Sequence, residues 1–316
     1  MLSYNLVSDR NPLVSLLIIL MTLFIGFVVL GPGIGLAVAS LFYDGTLMNF
    51  LEAVRDPSRY QEIRNQMLIT QGVATLVSLI ILPALHIRAL EHKRLSPFFP
   101  AQEKLFTTII LVMGVGITFI VSISPLTEWN MNLTFPEFLK GFETWARQTE
   151  DQAAKLTEAM TRFGSVGDLL FGLVVIAVLP AIGEELVFRG LFQNELMRAS
   201  KNIHVAIWMS ALIFSTIHFQ FYGFLPRLLL GALFGYLYYW SGNLLIPIVA
   251  HFFNNAFGVI MIYLYQHKIT DLNVEENTAA PITYVLLNIV ITAGLLYYLR
   301  QHYQRIRENS PADFYE

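Results

Sequence analysis

The chain of 316 residues contains no cysteine. Disulfides, thiolate metal sites and cysteine nucleophiles are therefore excluded, and any catalysis must come from Ser, His, Asp, Glu, Lys or Tyr. Charge is scarce as well. Only 14% of the residues are Asp, Glu, Lys or Arg, against about 25% in soluble globular chains. Hydrophobic residues make up 55% and the mean hydropathy is +0.56, so a water-exposed surface of this size could not be covered. The net charge of −3 offers no basic face for phosphates, and nucleic acid is not an expected partner. No internal repeat, low-complexity tract or lipidation box stands out. The composition is that of a polytopic membrane protein, with the lipid bilayer as its solvent.

A hydrocarbon core takes about 20 mostly apolar helical residues to cross. Eight stretches qualify: 12–30 (continuing with a kink through Gly31-Pro32-Gly33 towards Phe42), 67–87, 105–124, 169–188, 203–219, 228–240, 244–265 and 281–299. The predicted fold is all-α, one bundle of about eight transmembrane helices spanning residues 1–316. Ala37-Val38-Ala39 resembles a signal-cleavage site, but the preceding apolar run is longer than a usual signal core, so a retained helix is expected. In the short sixth stretch, Gly231 and Gly235 form a small-xxx-small pair suited to close helix packing.

Loop charge predicts the orientation. With the N-terminus inside, segments 1–11, 88–104, 190–202, 241–243 and 300–316 hold ten Lys/Arg, and the longer outer segments hold nine. Both termini are then cytoplasmic, in a chain with the look of a bacterial cytoplasmic-membrane protein. Segment 125–168 is long, polar and acidic. Within it Phe138, Leu139, Phe142, Trp145 and Ala146 recur at helical spacing, which predicts an extramembrane amphipathic helix at the interface or in solvent.

Ionisable side chains inside a span are expensive and invite a functional reading. The fourth stretch ends in Gly183-Glu184-Glu185-Leu186-Val187-Phe188-Arg189. Glu185 and Arg189 have the spacing and order of an intrahelical ion pair. Glu184 points about 100° away and is free to face the bundle. The fifth stretch ends with Phe214 and His218 four apart, and the seventh carries His251 and Asn255 four apart. Each pair shares a helix face. If the chain turns near Lys201, Glu184 and His218 are each 17 residues from the turn and lie level. With further turns near Gly223 and Gly242, His218 falls about 8 Å and His251 about 13 Å from the Gly223 level. Glu184, His218, His251 and Asn255 are thus expected in one layer. That layer is nearer the Gly223 side, which the charge bias puts outside, unless segment 190–204 projects far beyond the membrane.

Such a set suits amide hydrolysis by water. Glu with His can hold and deprotonate a water, and His with Asn can donate to a developing oxyanion. Glu184, His218 and His251 could instead ligate a divalent metal such as zinc, which acidifies its bound water. Neither an HExxH helix nor a GxSxG elbow is present.

Glu184-Glu185-x-x-x-Arg189, Phe214-x-x-x-His218 and His251-x-x-x-Asn255, in this order and in three hydrophobic spans, resemble the motif set of the CAAX protease and bacteriocin-processing family (CPBP, or ABI). That family includes the type II CAAX prenyl endopeptidases. The resemblance covers about residues 165–265, the expected catalytic core. It implies an intramembrane endopeptidase acting on a peptide or protein substrate, prenylated in the CAAX proteases. By the same resemblance Glu184 and His218 activate water, His251 and Asn255 stabilise the oxyanion, and Glu185, Arg189 and Phe214 support them. Members are described both as glutamate proteases and as metalloproteases. Two other functional classes suit buried Glu and His: a proton-coupled transporter and a non-catalytic scaffold or immunity protein.

Overall fold

The computed structural model describes residues 10–102, 104–276 and 278–309. The chain ends, 1–9 and 310–316, lie outside the described residues, and none of the ten Lys/Arg behind the expected orientation falls in them. The described chain is a bundle of helices: α1 (Pro12–Ser40), α2 (Leu47–Arg55), α3 (Arg64–Leu90), α4 (Leu105–Met131), α5 (Lys140–Met160), α6 (Val166–Ser200), α7 (Ile203–Thr216), α8 (Phe224–Ser241), α9 (Leu245–Gln266) and α10 (Ile282–Asn309). Seven of them are long and apolar enough to cross a membrane. The eighth expected span is the 14-residue α7, about 21 Å long. The outward faces carry exposed Leu17, Phe24, Val28, Leu286 and Val290, which only an apolar solvent accommodates. The chain is an integral membrane protein.

Local chemistry sets the breaks. Asn11 caps α1 by accepting from Leu13 N–H, with Pro12 in the first turn. Asn202 caps α7, accepting from His204 and Val205 N–H, and Gly242 at φ +63° turns α8 into α9. Five π-helical stretches interrupt α1, α3 and α6, at Gly26–Leu30, Leu76–Ile81, His86–Leu90, Leu173–Val178 and Leu186–Phe192, and three of them, Gly26–Leu30, Leu76–Ile81 and Leu173–Val178, share a sequence cause. Each of these three is followed two residues later by a proline: Pro32, Pro83 and Pro180. A proline has no N–H for the carbonyl four residues back, and the ladder re-registers through wider turns.

Two helices outrun their predicted ends. The third span continues past Pro125 to Met131, because Ser124 Oγ donates to the Val121 carbonyl that Pro125 cannot serve. α6 runs 35 residues, about 52 Å, against a hydrocarbon core of about 30 Å. Its polar C-terminal third, expected as a loop, stays helical because Gln193 and Glu195 are buried against the bundle. Glu184 and Glu185 therefore lie mid-helix, not at a helix end.

α6 is the central element. It packs on α3, α7 and α9, while α7 pairs with α8, α1 with α3 and α4 with α10. Leu79, Ala181, Val187, Phe188, Leu191, Phe214 and Leu244 form the core around it. A Cβ on Gly183 would fall 2.5 Å from Leu79 Cβ, so this glycine sets the approach of α6 to α3 one residue before Glu184. Gly231 and Gly235 place α8 against Ala211 and Ile207 of α7, and their carbonyls accept from Arg189 Nη2 (2.6 Å) and Gln193 Nε2 (3.1 Å). α5 lies outside the bundle. Phe142 and Phe221 pack edge to face at 5.3 Å, and Arg147 stacks over Tyr222 at 4.5 Å.

Candidate active site

Glu184, His218, His251 and Asn255 all line one cavity of about 420 Å³. Beneath it lies an ion-pair framework. Glu185 and Arg189, four apart on α6, are fully buried and joined at 3.0 Å. The guanidinium faces the rings of Phe214 at 5.1 Å and Phe234 at 5.5 Å, so aromatic quadrupoles share its charge. Phe214 thus touches both the Arg189 guanidinium and the ring of His218, which it meets at 5.1 Å.

His251 joins the framework to the cavity. Its Nδ1 lies 2.8 Å from Glu185 Oε1, an oxygen already accepting from Arg189, so the imidazole is the donor. Its Nε2 faces Glu184 Oε2 at 3.7 Å, and Phe234 stacks on the ring at 5.0 Å. His218 lies beyond the end of α7, in the turn before Phe219 (φ +53°). Its Nδ1 is 2.7 Å from the Phe214 carbonyl. A carbonyl only accepts, so Nδ1 carries the proton and a neutral His218 keeps a lone pair on Nε2. The last carbonyls of a helix lack backbone partners; here one of them fixes the catalytic candidate's tautomer.

Asn255 lies one turn beyond His251 on α9. Its Nδ2 donates to the Ile176 carbonyl at 3.4 Å, the carbonyl four residues before Pro180. Its Oδ1 accepts from Asn254 at 3.2 Å, and the second amide hydrogen remains available.

Two wall residues escaped the sequence reading. Arg227 stands one residue before the predicted 228–240 span and lines the cavity. Glu150 of α5 enters from outside, accepting from Gln220 Nε2 and Tyr222 N–H, both at 3.3 Å. Burial raises the Glu150 carboxyl above the ordinary range, and the Tyr222 N–H and Arg227 charge oppose this only in part. Nothing local marked Glu150; its place depends on where α5 docks.

Both imidazoles have Nδ1–H held by an oxygen, of Phe214 for His218 and of Glu185 for His251, an orientation that metal-binding histidines share. The donors do not fit a metal as they stand, however: among the described residues no three His, Cys, Asp or Glu side chains converge as a ligand set.

Residues 166–257 match the family model described as type II CAAX prenyl endopeptidase Rce1-like. This segment is similar to that family. It spans the Glu184, His218 and His251 motifs in full and agrees with the resemblance drawn from them over 165–265. The uncharacterized protein YpbD of Bacillus subtilis (strain 168) is 32% identical over 108 residues, which cover 33% of this chain and 52% of YpbD. The chain thus aligns with about half the length of that relative. No solved structure gives a significant match. The matched segment contributes α6, α7, α8 and half of α9 to the cavity; α4 and α5, outside it, close the wall with Thr127, Met131 and Glu150.

Proposed function

We propose that the protein is an intramembrane endopeptidase of the CAAX-protease type that hydrolyses a peptide bond with a water activated by Glu184 and His218. The observation that supports this most is that the acid, both imidazoles and the Asn255 amide line one cavity, inside a segment that matches an endopeptidase family. The Glu184 carboxylate takes a proton from the water, and His218 Nε2 accepts the other hydrogen and orients the oxygen. The water oxygen adds to the scissile carbonyl carbon. Asn255 Nδ2 donates to the resulting oxyanion, joined by His251 Nε2–H when that ring is protonated, its Nδ1–H staying on Glu185. Collapse breaks the C–N bond, and Glu184 returns its proton to the leaving nitrogen. Glu185 and Arg189 hold His251 in register and touch no substrate.

The substrate is a peptide or protein segment reaching the cavity from the bilayer, with a prenylated C-terminal tail as the class the family description suggests. The test is peptide cleavage by the purified chain in liposomes, with and without chelator, beside Glu184→Gln. Loss of cleavage in the variant and indifference to chelator are expected. A fully active Glu184→Gln would reject the reading. Chelator inhibition reversed by zinc would replace the metal-free mechanism with a metal-assisted one.

A further inference from the structure

The side of α8 turned away from the catalytic cavity carries a second recess. Phe234 stacks on His251 at the cavity, and Tyr236, two residues on, points about 200° away. Tyr236, Tyr239 and Trp240 of α8, His204 of α7, and Arg300 and Tyr303 of α10 line a pocket of about 190 Å³. Tyr236 and Trp240 pack their rings at 5.7 Å, and His204 Nδ1 meets the Tyr236 hydroxyl at 2.8 Å. Whichever atom donates in that bond, the pair keeps one further N–H or O–H to give. The Tyr303 hydroxyl accepts from Gln102 Nε2 at 2.6 Å. Arg300 is exposed, and among the described residues no carboxylate pairs with it or lines the pocket. The next acid along α10, Glu308, comes two turns later and is not part of the lining. Lys104 and Arg305 are near enough for their charges to act on His302, whose ring meets Tyr303 at 5.4 Å. This end of the bundle is therefore basic. It also lies at headgroup depth, because the apolar run of α10 ends at Tyr297-Tyr298-Leu299 and gives way to Arg300-Gln301-His302.

We propose that this recess between α7, α8 and α10 holds the phosphate of an anionic glycerophospholipid, bound by Arg300 and by the His204–Tyr236 pair. Aromatic and basic residues that only mark the membrane boundary face outward singly; here rings from α8 and α10 close on one concavity beside an unpaired guanidinium. The guanidinium gives the phosphate a charge-assisted, two-pronged contact, and the rings pack on the glycerol and the first carbons of the acyl chains. A headgroup carrying an ammonium fits less well, since no described acid is there to take it and Arg300 repels it. The lipid bridges three helices on the side of α8 opposite Phe234. The site stands apart from the peptidase reading and does not depend on it.

The test uses the purified full chain in detergent and native mass spectrometry, with phosphatidylglycerol and phosphatidylcholine of matched acyl chains added in equal amounts. The wild type should retain phosphatidylglycerol over phosphatidylcholine by about tenfold. Arg300→Gln should bring the two lipids close to parity, and Tyr236→Phe, which keeps the ring, should narrow the preference. Arg300→Lys should keep part of it, since the charge stays and the planar fork is lost. Arg305→Gln, outside the lining, should preserve most of it. A second arm reads the thermal midpoint: phosphatidylglycerol should raise it, and glycerol phosphate at the same concentration should not. Equal retention of both lipids by the wild type, or an unchanged preference in Arg300→Gln, overturns the site. Equal losses in Arg300→Gln and Arg305→Gln overturn it in favour of general surface charge. An equal rise with glycerol phosphate overturns the lipid as the source of the phosphate.

Discussion

His251 on α9 donates its Nδ1 proton to Glu185 on α6 across 2.8 Å. This bond turns two adjacent glutamates into groups with different work. Glu185 is the buried anchor between Arg189 and His251, and Glu184 is the one that lines the cavity. Replacing Glu185 by Gln should therefore act on stability, since it leaves the Arg189 charge without its partner in a dry core. A loss of about 3–5 kcal/mol is expected for one partner of a buried pair, seen as a clear fall in the thermal midpoint in detergent. Glu184→Gln should leave the midpoint nearly unchanged. Equal midpoints for Glu185→Gln and wild type would contradict the anchoring role.

Gly183 offers a test of how the acid pair is placed. A methyl group there would be 2.5 Å from Leu79 Cβ, and a Cβ has no rotamer by which to retreat. Gly183→Ala should force α6 away from α3 at a cost of about 1–3 kcal/mol, and it should lower kcat by displacing Glu184. Wild-type kcat and stability in this variant would show that the close approach does not set the site.

The amphipathic helix α5 should respond to pH through Glu150. Burial raises this carboxyl in the docked helix, so the docked state binds a proton more tightly than the undocked one. Docking is then strongest below the ordinary carboxylate range and weakens as pH rises through the raised value. Hydrogen exchange of α5, corrected for intrinsic rates, should speed up across that window, and Glu150→Gln should remove the pH dependence. Exchange that is flat in the wild type, or equally steep in the variant, would contradict it.

The sequence shows much of this architecture because lipid enforces a simple rule: apolar runs of sufficient length become helices. The spacing of Glu185 from Arg189 likewise predicts their pair, which is a property of one helix. What it hides is tertiary. The polar stretch around Gln193 and Glu195 looks like a loop, yet it continues α6 because α8 and the bundle bury it. Arg227 falls just outside an apolar run and looks like a flanking charge. Glu150 is one acid among several in a polar segment, and only the docking of α5 on Phe221 and Tyr222 brings it to the cavity. The role of Phe214 is partly visible as a motif residue beside His218, but its ring over the Arg189 guanidinium is not.

The central claim is that Glu184 and His218 act on one water. The most direct measurement is a double-variant cycle on kcat, with Glu184→Gln, His218→Ala and the double variant in liposomes, all shown to be folded by their thermal midpoints. Groups that work as a unit are not additive. Each single change should cost about a hundredfold or more, and the double variant should be no slower than the slower single. Independent, multiplying losses, or full activity in either single variant, would contradict a shared water.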